Sequence, residues 1–169
     1  MKRRIMVVED ESFQRGALEV ALQRRFADAD VIVESFADPM QALSRAYATH
    51  FAVVIADFRM PGMNGVAFLQ KLRELQPVAV RLMLTASAEI DTAVMALNYA
   101  EVFRFIRKPW DQSLHVAVEE ALARYEELCA AEVPQAIIGT PPKAAAAHAA
   151  SLRSAIDVYT STDGTQLAR

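Results

Sequence analysis

The chain has 169 residues, a hydrophobic fraction of 53% and a formal net charge of −3. That is enough apolar material for one packed domain with an appendage, so disorder throughout is excluded, and the charge leaves no basic footprint for nucleic acid. No apolar run approaches the ~20 residues of a membrane-spanning helix, and the lone Cys129 cannot close an internal disulfide, which suits a reducing cytoplasm. Met1-Lys2-Arg3-Arg4 has the charge of a signal-peptide start, but the apolar run behind it is only four residues long and ends in Glu9-Asp10-Glu11, so secretion is not expected.

In chain order, Ile5-Met6-Val7-Val8 predicts a strand near 4–8 that ends in Glu9-Asp10. A helix over 12–26 follows, with Ser12 as its cap and Leu18, Leu22 and Phe26 recurring at helical spacing as its buried stripe. A second strand near 31–36 leads to a helix over 39–48, with Pro39 in its first turn. The apolar run Phe51-Ala52-Val53-Val54-Ile55-Ala56 predicts a strand at 52–56 that delivers Asp57 to a turn-rich loop, Phe58-Arg59-Met60-Pro61-Gly62-Met63-Asn64-Gly65. After a helix at 65–75, a strand at 80–84 ends in Thr85, a helix at 90–99 follows, and a strand at 103–106 ends in Lys108-Pro109. The last helix, over 111–131, carries Asp111 as cap and Leu114, Val118 and Leu122 as its stripe.

Strands alternating with amphipathic helices predict an α/β fold, a doubly wound five-stranded parallel sheet with helices on both faces. After Ala131 the rhythm breaks at Pro134, at Gly139-Thr140-Pro141-Pro142 and in an alanine run around His148. The chain therefore divides into a domain at 1–131 and a linker and tail at 132–169, disordered or carrying a short helix at 144–159 through Leu152, Ile156 and Tyr159.

In a parallel sheet the strand ends converge on one edge, which gathers Glu9, Asp10, Asp57, Thr85 and Lys108. Taken singly, an acid or threonine at a strand end caps a helix and Lys-Pro makes a turn; their order and spacing carry the signal. An acidic pair, then an Asp followed by Met-Pro-Gly and a later Gly, then Thr-Ala, then Lys-Pro, resembles the receiver domain of two-component response regulators over roughly residues 1–128. The resemblance implies a flavodoxin-like strand order 2-1-3-4-5, a cis Lys108-Pro109 bond, and phosphorylation of Asp57 by a histidine kinase or phosphotransfer protein.

Phosphoryl transfer needs an in-line nucleophile, a cation to spread charge over the equatorial oxygens, and donors to hold them. The resemblance makes Asp57 the expected nucleophile. Three carboxylates, Glu9, Asp10 and Asp57, would repel one another at neutral pH without a divalent cation, and Mg²⁺ (or Mn²⁺) on Asp10, Asp57, the Arg59 carbonyl and waters answers that need, with Glu9 acting through a metal-bound water. Lys108 supplies positive charge and Thr85 a hydroxyl to the phosphoryl oxygens. By resemblance, Phe105 is the aromatic that couples Thr85 to the face made by the fourth helix, fifth strand and fifth helix (the 4-5 face), and Arg59 and Ser87 tune the phosphoryl lifetime. Trp110 is a candidate anchor for a downstream protein target, or for a homodimer through that face.

Phe103-Arg104-Phe105-Ile106-Arg107-Lys108-Pro109-Trp110, with Asn98-Tyr99, also resembles receivers joined to HD-GYP phosphodiesterases, yet residues 132–169 hold no HD, GYP or GGDEF motif and no DNA-reading helix pair. The leading expectation is thus a cytoplasmic receiver that is not an enzyme beyond its own phosphorylation and dephosphorylation. One alternative is the receiver portion of a larger regulator whose output domain is missing. Another is a Mg²⁺-dependent phosphohydrolase with an aspartyl intermediate, although Asp57-Phe58-Arg59 lacks a second acid two residues on. A nucleotide-binding module would need a glycine-rich cradle where Glu9-Asp10-Glu11 stands.

Overall fold

A computed structural model describes residues 2–86 and 100–132. Ser87, Asn98-Tyr99, the expected helix at 90–99, and the tail from residue 133 on lie outside the described residues. The elements are β1 (Arg3–Val8), α1 (Ser12–Arg25), β2 (Val31–Phe36), α2 (Pro39–Ala48), β3 (Val53–Asp57), α3 (Gly65–Leu75), β4 (Val80–Thr85), β5 (Arg104–Arg107) and α4 (Ser113–Glu132), the fifth of the expected helices. All strand pairs are parallel, in the five-stranded order β2-β1-β3-β4-β5, so the α/β, doubly wound, flavodoxin-like expectation holds. Against the expected bounds, β3 and β5 are shifted by one residue toward the C-terminus and β4 is one residue longer: Asp57 lies opposite Leu84, and Thr85 opposite Arg107. Among the described residues, no helix is long and apolar enough to cross a membrane.

Side chains alternate across the sheet with period two, and each face is covered by a different helix pair. Ile5, Val7, Val53, Ile55, Leu82 and Leu84 pack beneath Leu18 and Leu22 of α1, Phe26 just past its end, and Leu114, Val118 and Leu122 of α4. Met6, Val8, Val54, Ala56 and Met83 pack beneath Ala42, Leu43 and Ala46 of α2 and Phe68, Leu69 and Leu72 of α3. Both expected helical stripes are thus buried, each large apolar side chain contributing about 1.5–3 kcal/mol.

Helix starts follow local chemistry. Asp38 Oδ1 accepts from the Met40 N–H at 2.8 Å, with Pro39 in the first turn. Asn64 Oδ1 accepts from the Ala67 N–H at 2.9 Å. Asp111 lies one residue ahead of the cap position of α4, which is Gln112, but still serves the helix start: its Oδ1 takes the Ser113 N–H at 2.8 Å, and that bond holds its carboxyl below the usual range. Ser12 is a correction. The cap position of α1 belongs to Glu11, without a side-chain cap bond, and Ser12 is the first helical residue. The reason is that the Glu11 carbonyl already accepts the Arg15 N–H at 2.9 Å, which draws the helix start back by one residue.

Candidate functional site

The carboxyl edge of the sheet builds the site. Glu9 follows β1 and keeps a sheet bond, its N–H donating to Phe36 O at 3.1 Å, so its side chain is buried at 1% exposure. The chain then turns into α1, which leaves Asp10 as the more open of the acidic pair. Asp57 ends β3 at 5% exposure. Its Oδ2 accepts the Arg59 N–H at 3.0 Å, and the adjoining Phe58 N–H donates to Leu84 O at 3.0 Å. The loop closes where the Gly65 N–H donates to Phe58 O at 2.9 Å, so tightly that a Cβ on Gly65 would stand 2.3 Å from Asp57 O. Only glycine fits there. Gly62, at φ +75°, makes the turn before it.

β4 and β5 bring the remaining groups. Thr85 ends β4, with its hydroxyl donating to Ala86 O at 3.1 Å, and its carbonyl accepts the Lys108 N–H at 2.9 Å. The Lys108-Pro109 bond is cis. From there Lys108 reaches back across the sheet edge: Nζ lies 2.7 Å from Glu9 Oε2 and also pairs with Asp57 Oδ1. Burial pushes the Glu9 carboxyl above its usual range, with the bond from Lys108 opposing and the Asp57 charge adding to the rise. Burial works against the Lys108 ammonium too, but the bonds to Asp57 and Glu9 outweigh it and hold the lysine above its ordinary value. The ammonium is therefore firmly charged at neutral pH.

Glu9, Asp10 and Asp57 each offer a carboxylate oxygen, and these atoms lie within 4.8 Å of one another. One ammonium against three carboxylates leaves an excess of negative charge facing an open cavity of about 370 Å³, also lined by Glu11, Gln14, Arg59 and Ala86. An all-oxygen donor set beside open space for waters fits a hard divalent cation such as Mg²⁺.

The fold thus gathers five of the expected groups, Glu9, Asp10, Asp57, Thr85 and Lys108, at one edge, with Arg59 on its rim. Phe105 stands back from them, half-buried on the α2–α3 side opposite Met83. Trp110 packs against the other core, under α1 and α4, and with Phe13, Ala17 and Pro109 lines a neighbouring groove of about 510 Å³ that shares Gln14 and Lys108 with the acidic cavity. Sequence reasoning missed the Glu9–Lys108 pair, because 99 residues separate the partners. It also passed over Gln14 and Arg15, whose only signal is their place one turn into the helix behind the acidic loop.

Residues 5–119 match the family model of the response regulator receiver domain. The chain belongs to the response regulator receiver family. It is 34% identical over 124 residues to the DNA-binding transcriptional regulator NtrC of Escherichia coli (strain K12), covering 73% of this chain and 25% of that protein. It therefore spans about a quarter of the length of that curated relative. Among solved structures, adenylate cyclase from Rhodopirellula baltica is similar at TM-score 0.71 and 30% identity, covering 80% of this chain and 98% of that one. The signal receiver domain of an HD domain-containing protein from Pseudomonas fluorescens Pf-5 aligns at TM-score 0.66 and 24% identity, over 75% of this chain and 90% of that one, a likeness of fold alone.

Proposed function

We propose that this receiver takes a phosphoryl group onto Asp57 from a histidine kinase or phosphotransfer protein and signals by protein–protein interaction. The observation that carries the reading is Lys108 Nζ, paired with both buried carboxylates, Glu9 and Asp57, at a cavity where three carboxylate oxygens meet within 4.8 Å. Asp57 presents a carboxylate oxygen in line with a phosphorus–nitrogen bond; the oxygen–phosphorus bond forms as the donor imidazole leaves with its electron pair. Asp10, Asp57 and the Arg59 carbonyl would hold Mg²⁺ (or Mn²⁺), with Glu9 reaching it through water. The cation would spread the charge of the equatorial oxygens. Lys108 keeps Glu9 and exchanges Asp57 for a phosphoryl oxygen, which leaves the ammonium paired throughout. Thr85 turns its hydroxyl from Ala86 O toward the phosphoryl group.

Inward movement of Thr85 opens room that Phe105 fills, and the change emerges on the 4-5 face, with Trp110 at its margin as an anchor for a downstream target or a second copy. Arg59 on the cavity rim, with Ser87, sets how easily water reaches the acyl phosphate. The protein has no separate substrate, acts in the cytoplasm, and divides into a receiver at 1–131 and a linker and tail at 132–169. Its span of a quarter of NtrC's length favours, as a second reading, the receiver portion of a larger regulator.

The test is incubation with acetyl phosphate and Mg²⁺, comparing wild type with Asp57→Asn by intact mass and phosphate-affinity gel. A Mg²⁺-dependent, base-labile adduct on the wild type alone is the expected outcome. An adduct that persists in Asp57→Asn, or none in either protein, overturns the assignment.

A further inference from the structure

The β1–β2 ladder stops at Val8 and Phe36, and the residues that carry the acidic pair lie beyond it. Arg15, one turn into α1, ties that stretch down. Its Nη1 donates to Glu9 O at 2.8 Å and to Asp10 O at 3.1 Å, while its backbone N–H donates to Glu11 O at 2.9 Å. One residue therefore binds the carbonyls of three consecutive loop residues. Two of those bonds come from a cation, which makes them stronger than neutral ones.

The three carboxylates are held in different ways. Glu9 is fixed through its side chain, which accepts from Lys108 at 2.7 Å and from the Glu11 N–H at 3.3 Å. Asp57 is fixed by Lys108 and by the Arg59 N–H at 3.0 Å. Asp10 is placed through its backbone, and Arg15 holds that backbone. A small hard cation demands near-ideal octahedral ligands at about 2.0–2.1 Å, so play in one ligand reduces its affinity directly.

We infer that Arg15 is a positioning residue for the cation site: it holds the β1–α1 loop so that the Asp10 carboxylate stays beside Asp57. The inference rests on the proposed cation binding, and two effects of opposite sign make it testable. As a mere positive charge near the site, Arg15 repels the cation, and its removal tightens binding. As a brace, it preorganises the ligand, and its removal weakens binding. Outer partners of metal ligands typically contribute about 10–100-fold in affinity, and the brace is expected to prevail at roughly tenfold, the lower end of that range.

The experiment is calorimetric titration of MgCl₂ into the full chain as wild type, Arg15→Ala, Arg15→Lys and Leu122→Ala. The last is a core truncation in α4 that lowers stability away from the loop. Expected are about tenfold weaker binding for Arg15→Ala, a smaller loss for Arg15→Lys, which keeps a charged donor on a shorter stem, and an unchanged constant for Leu122→Ala. Equal or tighter binding by Arg15→Ala, or an equal loss in Leu122→Ala, overturns the role of Arg15 alone. If Arg15→Ala does not fold, Arg15→Met, which keeps the stem and loses both donated bonds, is titrated in its place, and wild-type affinity there overturns the brace. No Mg²⁺ heat from the wild type overturns the cation reading itself and the inference with it.

Discussion

Lys108 is the residue on which both buried carboxylates depend. It bridges Glu9 and Asp57 from a strand two positions away from β3 in the sheet, and its side chain is 18% exposed against 1% and 8% for its partners. Removing the ammonium while keeping the bulk leaves two like charges buried together. Lys108→Met is therefore expected to cost roughly 3 kcal/mol at neutral pH, read from urea unfolding, and Mg²⁺ should stabilise the variant more than the wild type because the cation replaces the lost charge. A variant as stable as wild type without metal would mean that Glu9 and Asp57 do not need the pair. The sequence made Lys108 legible as a site residue through its Pro109 and its strand end, but its hold on Glu9 was not legible, since no local pattern encodes a contact between the first and fifth strands.

At the scale of elements, loops and helix starts position the chemistry. The end of β3 and the start of α3 touch at Gly65, whose missing side chain lets the Asp57 carbonyl approach; the Met-Pro-Gly turn and the later glycine were readable from sequence for that reason. The start of α1 was misread at Ser12, because a serine in a cap-like context is outcompeted when the preceding carbonyl takes the first helical bond. In the edge strand β2, Glu34 joins the sheet to α2: Arg45 Nε donates to it at 2.8 Å, and it also pairs with Arg4. The hydrogen bonds from Arg45 hold the Glu34 carboxyl below its ordinary 4.5, with burial opposing and Arg4 assisting. A carboxyl lowered on folding stabilises the protein above its unfolded value and loses that contribution as pH falls through the folded one. Glu34→Gln should therefore lower the urea midpoint at about pH 6 and lose less than wild type between there and about pH 3. Parallel acid limbs for the two proteins would remove Glu34 from the account.

For the whole molecule, strand order makes the site. Chain order alone separates Glu9 from Asp57 by a strand and two helices; the order β2-β1-β3-β4-β5 sets β1 directly beside β3, at the point where the winding reverses and ligands of open α/β sheets bind. The proposed signal leaves through the 4-5 face, of which β5 and α4 are described. Val116 on α4 and Phe103 just before β5 are exposed apolar side chains on those elements, and the proposed homodimer is tested directly. Sedimentation of the acetyl-phosphate-treated chain is expected to show a dimer that untreated protein lacks at the same concentration; monomer alone in both samples would leave the face to a different partner.

Apolar periodicity, strand-end acids and turn glycines are local properties, so the sequence by itself determined the α/β class, both buried helical stripes, the loop after β3 and the placement of Glu9, Asp10, Asp57, Thr85 and Lys108 at the strand ends. The tertiary structure alone decided that Lys108 holds Glu9 as well as Asp57, that Arg15 grips the acidic loop, and that Phe105 and Trp110 face opposite cores. Those facts depend on which elements lie side by side and on the last few ångströms between polar atoms. Composition and spacing along one chain do not contain that information.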